Sequence, residues 1–134
     1  MTSFRRGSPY AITAMLTPFT STGIDTAVFE AEVARQVAAG IDAIVVHDFI
    51  GEGCTLEQWE KDLLLTTAVR CAGDTLTVVA AIGSNCTRKT IEESLTAQRL
   101  GADALLVTVP YYSKPTLEGV VGHFRQISAA VGLE

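Results

Sequence analysis

With 134 residues, 48% of them hydrophobic and 19% charged, this chain holds one ordered domain or part of one, long enough to bury a core and too apolar to stay disordered. Its net charge of −5 argues against nucleic acid as a partner, because phosphate binding needs a clustered basic surface. The longest apolar runs are of strand length, so no membrane partner is expected, and the Arg5-Arg6 pair is not followed by a run long enough for a signal peptide.

Along the chain, strand and helix signals alternate. Tyr10 to Leu16 is a short apolar run closed by Thr17-Pro18 and predicts a first strand. Asp25 can cap a helix whose apolar face is Phe29, Val33 and Val37, and Gly40 stops it. Ala43-Ile44-Val45-Val46 is apolar on consecutive residues, the pattern of a parallel strand covered on both faces. Thr55-Leu56-Glu57-Gln58 reads as a capping box opening a second helix that runs to about Cys71. Leu76 to Ile82 is the third strand, and Thr87 starts a helix ending at Gly101. Ala104 to Val109 is the fourth strand, and Thr116 caps a last helix that runs out at Gly132-Leu133-Glu134.

The expected class is therefore α/β, with four parallel (β/α) units, each strand returning through a helical crossover. Four such units amount to half of an eight-stranded TIM barrel, so residues 1–134 are expected to be the N-terminal half of one barrel domain, with a C-terminal half absent. An internal echo fits this reading. Gly40-Ile41-Asp42-Ala43-Ile44-Val45-Val46 recurs 61 residues later as Gly101-Ala102-Asp103-Ala104-Leu105-Leu106-Val107. A separation of about two βα units, at roughly 30 residues each, is what a repeating architecture gives.

In a parallel βα sheet, chemistry gathers at the C-terminal ends of the strands. Four loops lie there: Thr17-Pro18-Phe19, His47 to Gly53, Gly83-Ser84-Asn85 and Pro110 to Pro115. The second is the most polar. Its Gly51-Glu52-Gly53 turn could offer backbone amides to an anion, but Leu56 stands where a dinucleotide fingerprint needs its third glycine. His47, Asp48 and Glu52 are close enough in sequence to suggest a divalent metal. We read them instead as a histidine facing a helix layer, a loop aspartate and a loop-anchoring glutamate, with no metal. Cys54, Cys71 and Cys86 are odd in number and form no C-x-x-C, so they read as reduced thiols in a cytoplasmic protein. His123, Phe124 and Trp59 read as packing residues.

These loops carry a resemblance. Leu16-Thr17-Pro18-Phe19, Gly51-Glu52 followed by Thr55-Leu56, Gly83-Ser84-Asn85, then Val109-Pro110-Tyr111-Tyr112 with Lys114-Pro115 and Glu118-Gly119, occur in one order and spacing over essentially the whole chain. The chain resembles the N-terminal half of the dihydrodipicolinate synthase and N-acetylneuraminate lyase family of class I aldolases. The resemblance implies a (β/α)₈ barrel that binds pyruvate, or a 2-keto acid releasing it, as a Schiff base on a lysine. It implies no metal or organic cofactor. A Gly-Thr-Thr-Gly-Glu loop holds the pyruvate carboxylate in such enzymes, which points to Phe49, Ile50 and Gly51 as substrate-binding positions. A tyrosine matching Tyr112 serves a proton relay and in many members reaches across a dimer interface, which implies a homo-oligomer.

Two departures qualify this. Neither Phe49 nor Ile50 supplies the donor that the family's threonines give, although the Ile50 N–H remains available. Restoring both threonines in a longer parent is expected to strengthen pyruvate binding. The three lysines are Lys61, Lys89 and Lys114, none at the family's Schiff-base position. The first two are expected on helical surface. The isolated chain is therefore expected to be an inactive piece of a lyase or synthase. The alternatives are a non-catalytic half barrel that assembles with a copy or partner, and a module binding a small acid on its open face. That inner face is expected to carry Val45, Val79 and Val107 or their neighbours.

Overall fold

The computed structural model describes residues 10–133; Arg5-Arg6 and Glu134 lie outside them. Four parallel strands form one sheet in the order β1, β4, β5, β6, where β1 is Ile12–Ala14, β4 is Ala43–Val46, β5 is Thr77–Ile82 and β6 is Ala104–Val107. Helix α1 (Thr26–Ala39) connects toward β4, α2 (Gln58–Ala72) links β4 to β5, α3 (Thr87–Arg99) links β5 to β6, and α4 (Leu117–Ala130) follows. The sheet thus has neighbouring strands in sequence order, as the alternating pattern predicts. One element was not legible: β2 (Phe19–Thr20) and β3 (Gly23–Ile24) make a small antiparallel hairpin before α1. Two-residue strands fall below any period that a sequence can display.

The helix starts follow local chemistry. Asp25 Oδ1 accepts the Val28 N–H at 3.1 Å, and Thr116 Oγ1 accepts that of Gly119 at 3.2 Å. The second helix corrects the sequence reading. It begins at Gln58, with Glu57 as the cap residue, whose N–H donates to Glu60 Oε2 at 2.8 Å. The Thr55 hydroxyl instead donates to the Glu52 carbonyl at 2.9 Å and finishes the preceding loop. With Thr55 tied into the loop, Glu57 and Glu60 close the helix end by a reciprocal side-chain-to-backbone box.

The core lies between the sheet and the helices. Ile44, Val46, Val78 and Ala80 pack with Phe29, Val33, Leu64 and Leu65 of α1 and α2. Ala43, Val45, Val79 and Ala104 form a separate cluster on the opposite face. The register pairs Val107 with Ile82, which packs in the helix-side core, so Val107 belongs to the helix side. Ala104 and Leu106 take its expected place on the inner face, because alternate residues of a strand face opposite ways. Among the described residues no helix is long and apolar enough to cross a membrane.

The internal echo has a physical meaning. At each copy a glycine with positive φ, Gly40 at 71° and Gly101 at 94°, turns the chain out of a helix. The aspartate two residues on then clamps the neighbouring strand. Asp42 donates its N–H to the Ala11 carbonyl and accepts the Ala11 N–H on Oδ2 at 2.8 Å. Asp103 repeats this on Val78, with the Val78 N–H reaching Oδ2 at 2.8 Å. Val78 is buried, so Asp103→Ala leaves its amide without an acceptor. We expect a loss of about 1.5–3 kcal/mol for Asp103→Ala and a smaller one for Asp42→Ala, whose partner Ala11 is exposed. Urea denaturation checks both, and equal losses would show that burial of the partner amide is not what sets the cost.

Candidate functional site

All four loops named from the sequence emerge at the C-terminal end of the parallel sheet. The loop after β4 is the most tightly built. Thr17 Oγ1, buried in the first loop, donates to the Gly51 carbonyl at 2.6 Å and ties the two loops together. A Cβ on Gly51 would sit 2.7 Å from the Met15 carbonyl, and one on Gly53 would sit 1.8 Å from that of His47. Neither glycine can be replaced without moving backbone, which is why this loop needs both.

Asp48 organises the loop's donors. Its Oδ1 accepts the Ile50 N–H at 2.9 Å and the Gly51 N–H at 3.1 Å. The Gly53 N–H donates to the Asp48 carbonyl at 2.9 Å, and the Glu52 N–H to that of Phe49 at 3.4 Å. The Ile50 N–H, free in the sequence reading, is therefore engaged within the loop. The signal was present: Asp at the first and Gly at the fourth position of Asp48-Phe49-Ile50-Gly51 is the composition of a type I turn closed by an Asx contact. With the donors inside, the apolar side chains point out, and Phe49 is 93% exposed.

His47 begins the loop with φ of 43°, in the left-handed region. It is only 7% exposed, and its Nδ1 has no hydrogen-bond partner. Burial pushes the imidazole down to about 4; Lys61 adds to this, while a hydrogen bond to the Ala81 backbone and the charge of Asp62 oppose it. At neutral pH the ring is uncharged. Lys61 and Asp62 belong to α2, so the ring lies near the helix layer, as the sequence reading has it. His47, Asp48 and Glu52 do not converge: among the described residues no three His, Cys, Asp or Glu side chains are grouped to hold a metal ion.

The third loop is fastened to α3. The Ser84 N–H donates to Thr90 Oγ1 at 3.0 Å and the Gly83 N–H to Glu93 Oε2 at 3.3 Å. In the fourth loop Tyr112 and Lys114 both have positive φ, 65° and 47°, a conformation costly for either residue. Tyr112 is 96% exposed and makes no hydrogen bond to the β4 loop among the described residues. Tyr111 and Phe49 share an open cleft of about 710 Å³, which extends past His47 to Lys61, Asp62 and Glu93. Lys61 is half-buried against this cleft, while Lys89 and Lys114 are exposed. His123, on α4, bonds through Nδ1 to Thr87 Oγ1 at 3.0 Å and meets the edge of Phe124, joining α4 to α3.

Comparison with known proteins adds to this geometry. Residues 9–134 match the Dihydrodipicolinate synthetase family. A 4-hydroxy-tetrahydrodipicolinate synthase of Exiguobacterium sibiricum is 48% identical over 122 residues, covering 90% of this chain and 42% of the relative. That of Acidothermus cellulolyticus is 43% identical over 136 residues, covering 99% and 44%. Among solved structures, the dihydrodipicolinate synthase of Acinetobacter baumannii complexed with pyruvate superposes with a TM-score of 0.90 at 36% identity, covering 92% of this chain and 43% of that one. The enzyme from Cyanidioschyzon merolae with lysine bound gives 0.87 at 38% identity, covering 91% and 42%. The chain therefore spans less than half the length of the relatives it matches.

Proposed function

Because this chain belongs to the dihydrodipicolinate synthetase family, we propose that it carries the N-terminal half of a class I aldolase site, which makes or breaks a carbon–carbon bond beside a carbonyl held as a Schiff base. The observation that carries this is the sheet itself. Four parallel strands in sequence order bring every motif loop to one end, where such barrels do their chemistry. In this reading residues 1–134 are half of one barrel domain. Tyr112 supplies the proton-relay hydroxyl from a loop held in strained backbone. Phe49, Ile50 and Gly51 form the substrate-facing turn, and a small 2-keto acid of the pyruvate type is the donor in the family. The chemistry calls for an amine and no metal or organic cofactor.

The amine is not in this chain. Lys61 and Lys89 lie on helices and Lys114 on the strained fourth loop, away from any strand. Alone, the chain is inactive. Pyruvate followed by borohydride should leave its mass unchanged, and a reduced pyruvate adduct on Lys114 would restore the single-chain enzyme.

A second reading is favoured by the inner face of the sheet. Leu106 is 50% and Ile12 49% exposed, although both lie in sheet strands. A half barrel with such a face is built to meet another chain, and a second copy is the partner we propose. Cys54, Cys71 and Cys86 are free thiols, which suits the cytoplasm.

A further inference from the structure

We propose that the cleft shared by Phe49 and Tyr111 holds an aryl aldehyde, the acceptor to which the new carbon–carbon bond is made. This rests on the aldolase reading of the sheet's C-terminal end and names the second substrate there. The donor remains a 2-keto acid of the pyruvate type.

Four apolar side chains line the cleft. Phe49 comes from the loop after β4, Leu106 from β6, and Val109 and Tyr111 from the segment that follows it. All four border one open cavity of about 710 Å³, and each is at least half exposed. A cavity of about 150 Å³ is enough for a benzene ring, so there is room here for a ring and its carbonyl substituent. Apolar and aromatic walls with a few polar groups are what holds a small organic ligand. Phe49 and Tyr111 add ring-to-ring attraction where an aryl group meets them offset or edge-on.

The loop holds Phe49 ready for this contact. Asp48 Oδ1 accepts the Ile50 and Gly51 amides at 2.9 and 3.1 Å, and the Thr17 hydroxyl donates to the Gly51 carbonyl. Little backbone freedom is left to lose when a ring docks. A hydroxylated acceptor is served badly at the same place. The amides of Ile50, Gly51, Glu52 and Gly53 are engaged within the loop, and neither Phe49 nor Ile50 carries a side-chain donor. Hydroxyls laid against them would go unpaired.

The reaction balances without an oxidant or reductant. The donor's methyl carbon loses a proton to become the enamine of a Schiff base on the lysine of a longer chain, and then bonds to the aldehyde carbon. The aldehyde oxygen takes up a proton, and water releases a hydroxylated aryl 2-keto acid and the free amine.

Backbone amide NMR of the full chain, titrated with benzaldehyde and separately with glyceraldehyde, tests the site without lysine or turnover. We expect saturable shifts at Phe49, Val109 and Tyr111 with benzaldehyde, at concentrations at least about tenfold below any response to glyceraldehyde, from the ring contacts and the apolar area covered. Phe49→Thr removes the ring at an exposed position and should weaken benzaldehyde binding about tenfold, with the rest of the spectrum native. Phe49→Tyr keeps the ring and should bind within about twofold of native.

Three results would overturn the proposal. One is glyceraldehyde moving the same amides at or below the benzaldehyde concentration. Another is a Phe49→Thr chain with a native spectrum that binds benzaldehyde as tightly as the native chain. The third is benzaldehyde shifts confined to the inner-face strands, with Phe49 and Tyr111 unmoved. Pyruvate trapped by a longer chain that carries the lysine, with Phe49 unmoved by benzaldehyde, would sink the aryl acceptor and leave the aldolase reading standing. Benzaldehyde binding at Phe49 with no pyruvate trapped by that chain would keep the ring site and overturn the aldolase reading.

Discussion

Sedimented at micromolar concentration, this chain is expected to run as a self-associated species, with a dimer that pairs two half sheets as its simplest form. Among the described residues the sheet ends in β1 on one side and β6 on the other, and each edge has no further strand paired to it. Between these edges lies an inner face of Ile12, Ala43, Val45, Val79, Ala104 and Leu106, only part of which is buried. Covering roughly 400 Å² of such a face returns about 10 kcal/mol at ~25 cal/mol per Å². Association costs about 4–15 kcal/mol, so apolar cover alone barely decides the matter. Edge pairing adds about 0.5–1.5 kcal/mol per backbone hydrogen bond and tips the balance. Leu106→Lys puts a charge on the half-exposed edge of that face and should shift the sample toward monomer with little change in the helix-side core. A strictly monomeric native sample with a sharp, cooperative thermal transition would show that the half sheet closes its own core.

Lowering the pH from 7.5 to 4.5 is expected to destabilise the fold through His47. The ring titrates at about 4 when folded and at 6.5 when free, because burial disfavours its charged form. Between these values the unfolded chain holds the extra proton, so stability rises with pH across the window. The contribution is fully present above pH 6.5 and is lost progressively as the pH falls toward 4. At 1.36 kcal/mol per unit this amounts to about 2–3 kcal/mol by pH 4.5, roughly 10 °C in Tm for a domain of this size. Carboxylates contribute their own slope, so the comparison is with His47→Asn, since asparagine tolerates the left-handed backbone at this position. The variant should lose the His47 part of the slope over pH 6.5 to 4.5. Equal slopes in the two proteins would mean that the buried ring does not control the acid sensitivity.

The elements differ in how much of them the sequence discloses. The helices and main strands were legible because each solves a local problem. Asp25 and Thr116 satisfy helix amides three residues away, and Ala43 to Val46 is apolar throughout because both of its faces are covered. The second helix start was misplaced because the Thr55 hydroxyl is taken by the Glu52 carbonyl of the preceding loop, a contact that the capping pattern alone does not reveal. The echoed Gly-x-Asp turns were visible as a pattern, but their role as clamps on Ala11 and Val78 required the neighbouring strands in register.

By itself, then, the amino-acid order determined the βα alternation, the parallel sheet and the end at which the motif loops gather. Period, cap and turn chemistry act over a few residues and are written there directly. The tertiary structure alone decided which face Val107 takes, how deeply His47 is buried, and where the Ile50 amide goes. Each of these depends on atoms brought close in space: the Ile82 partner of Val107, the α2 layer near His47, and the Asp48 carboxylate folded back over its own loop. A residue's type says what it can donate, accept or bury; only the assembled neighbours say which of those it does.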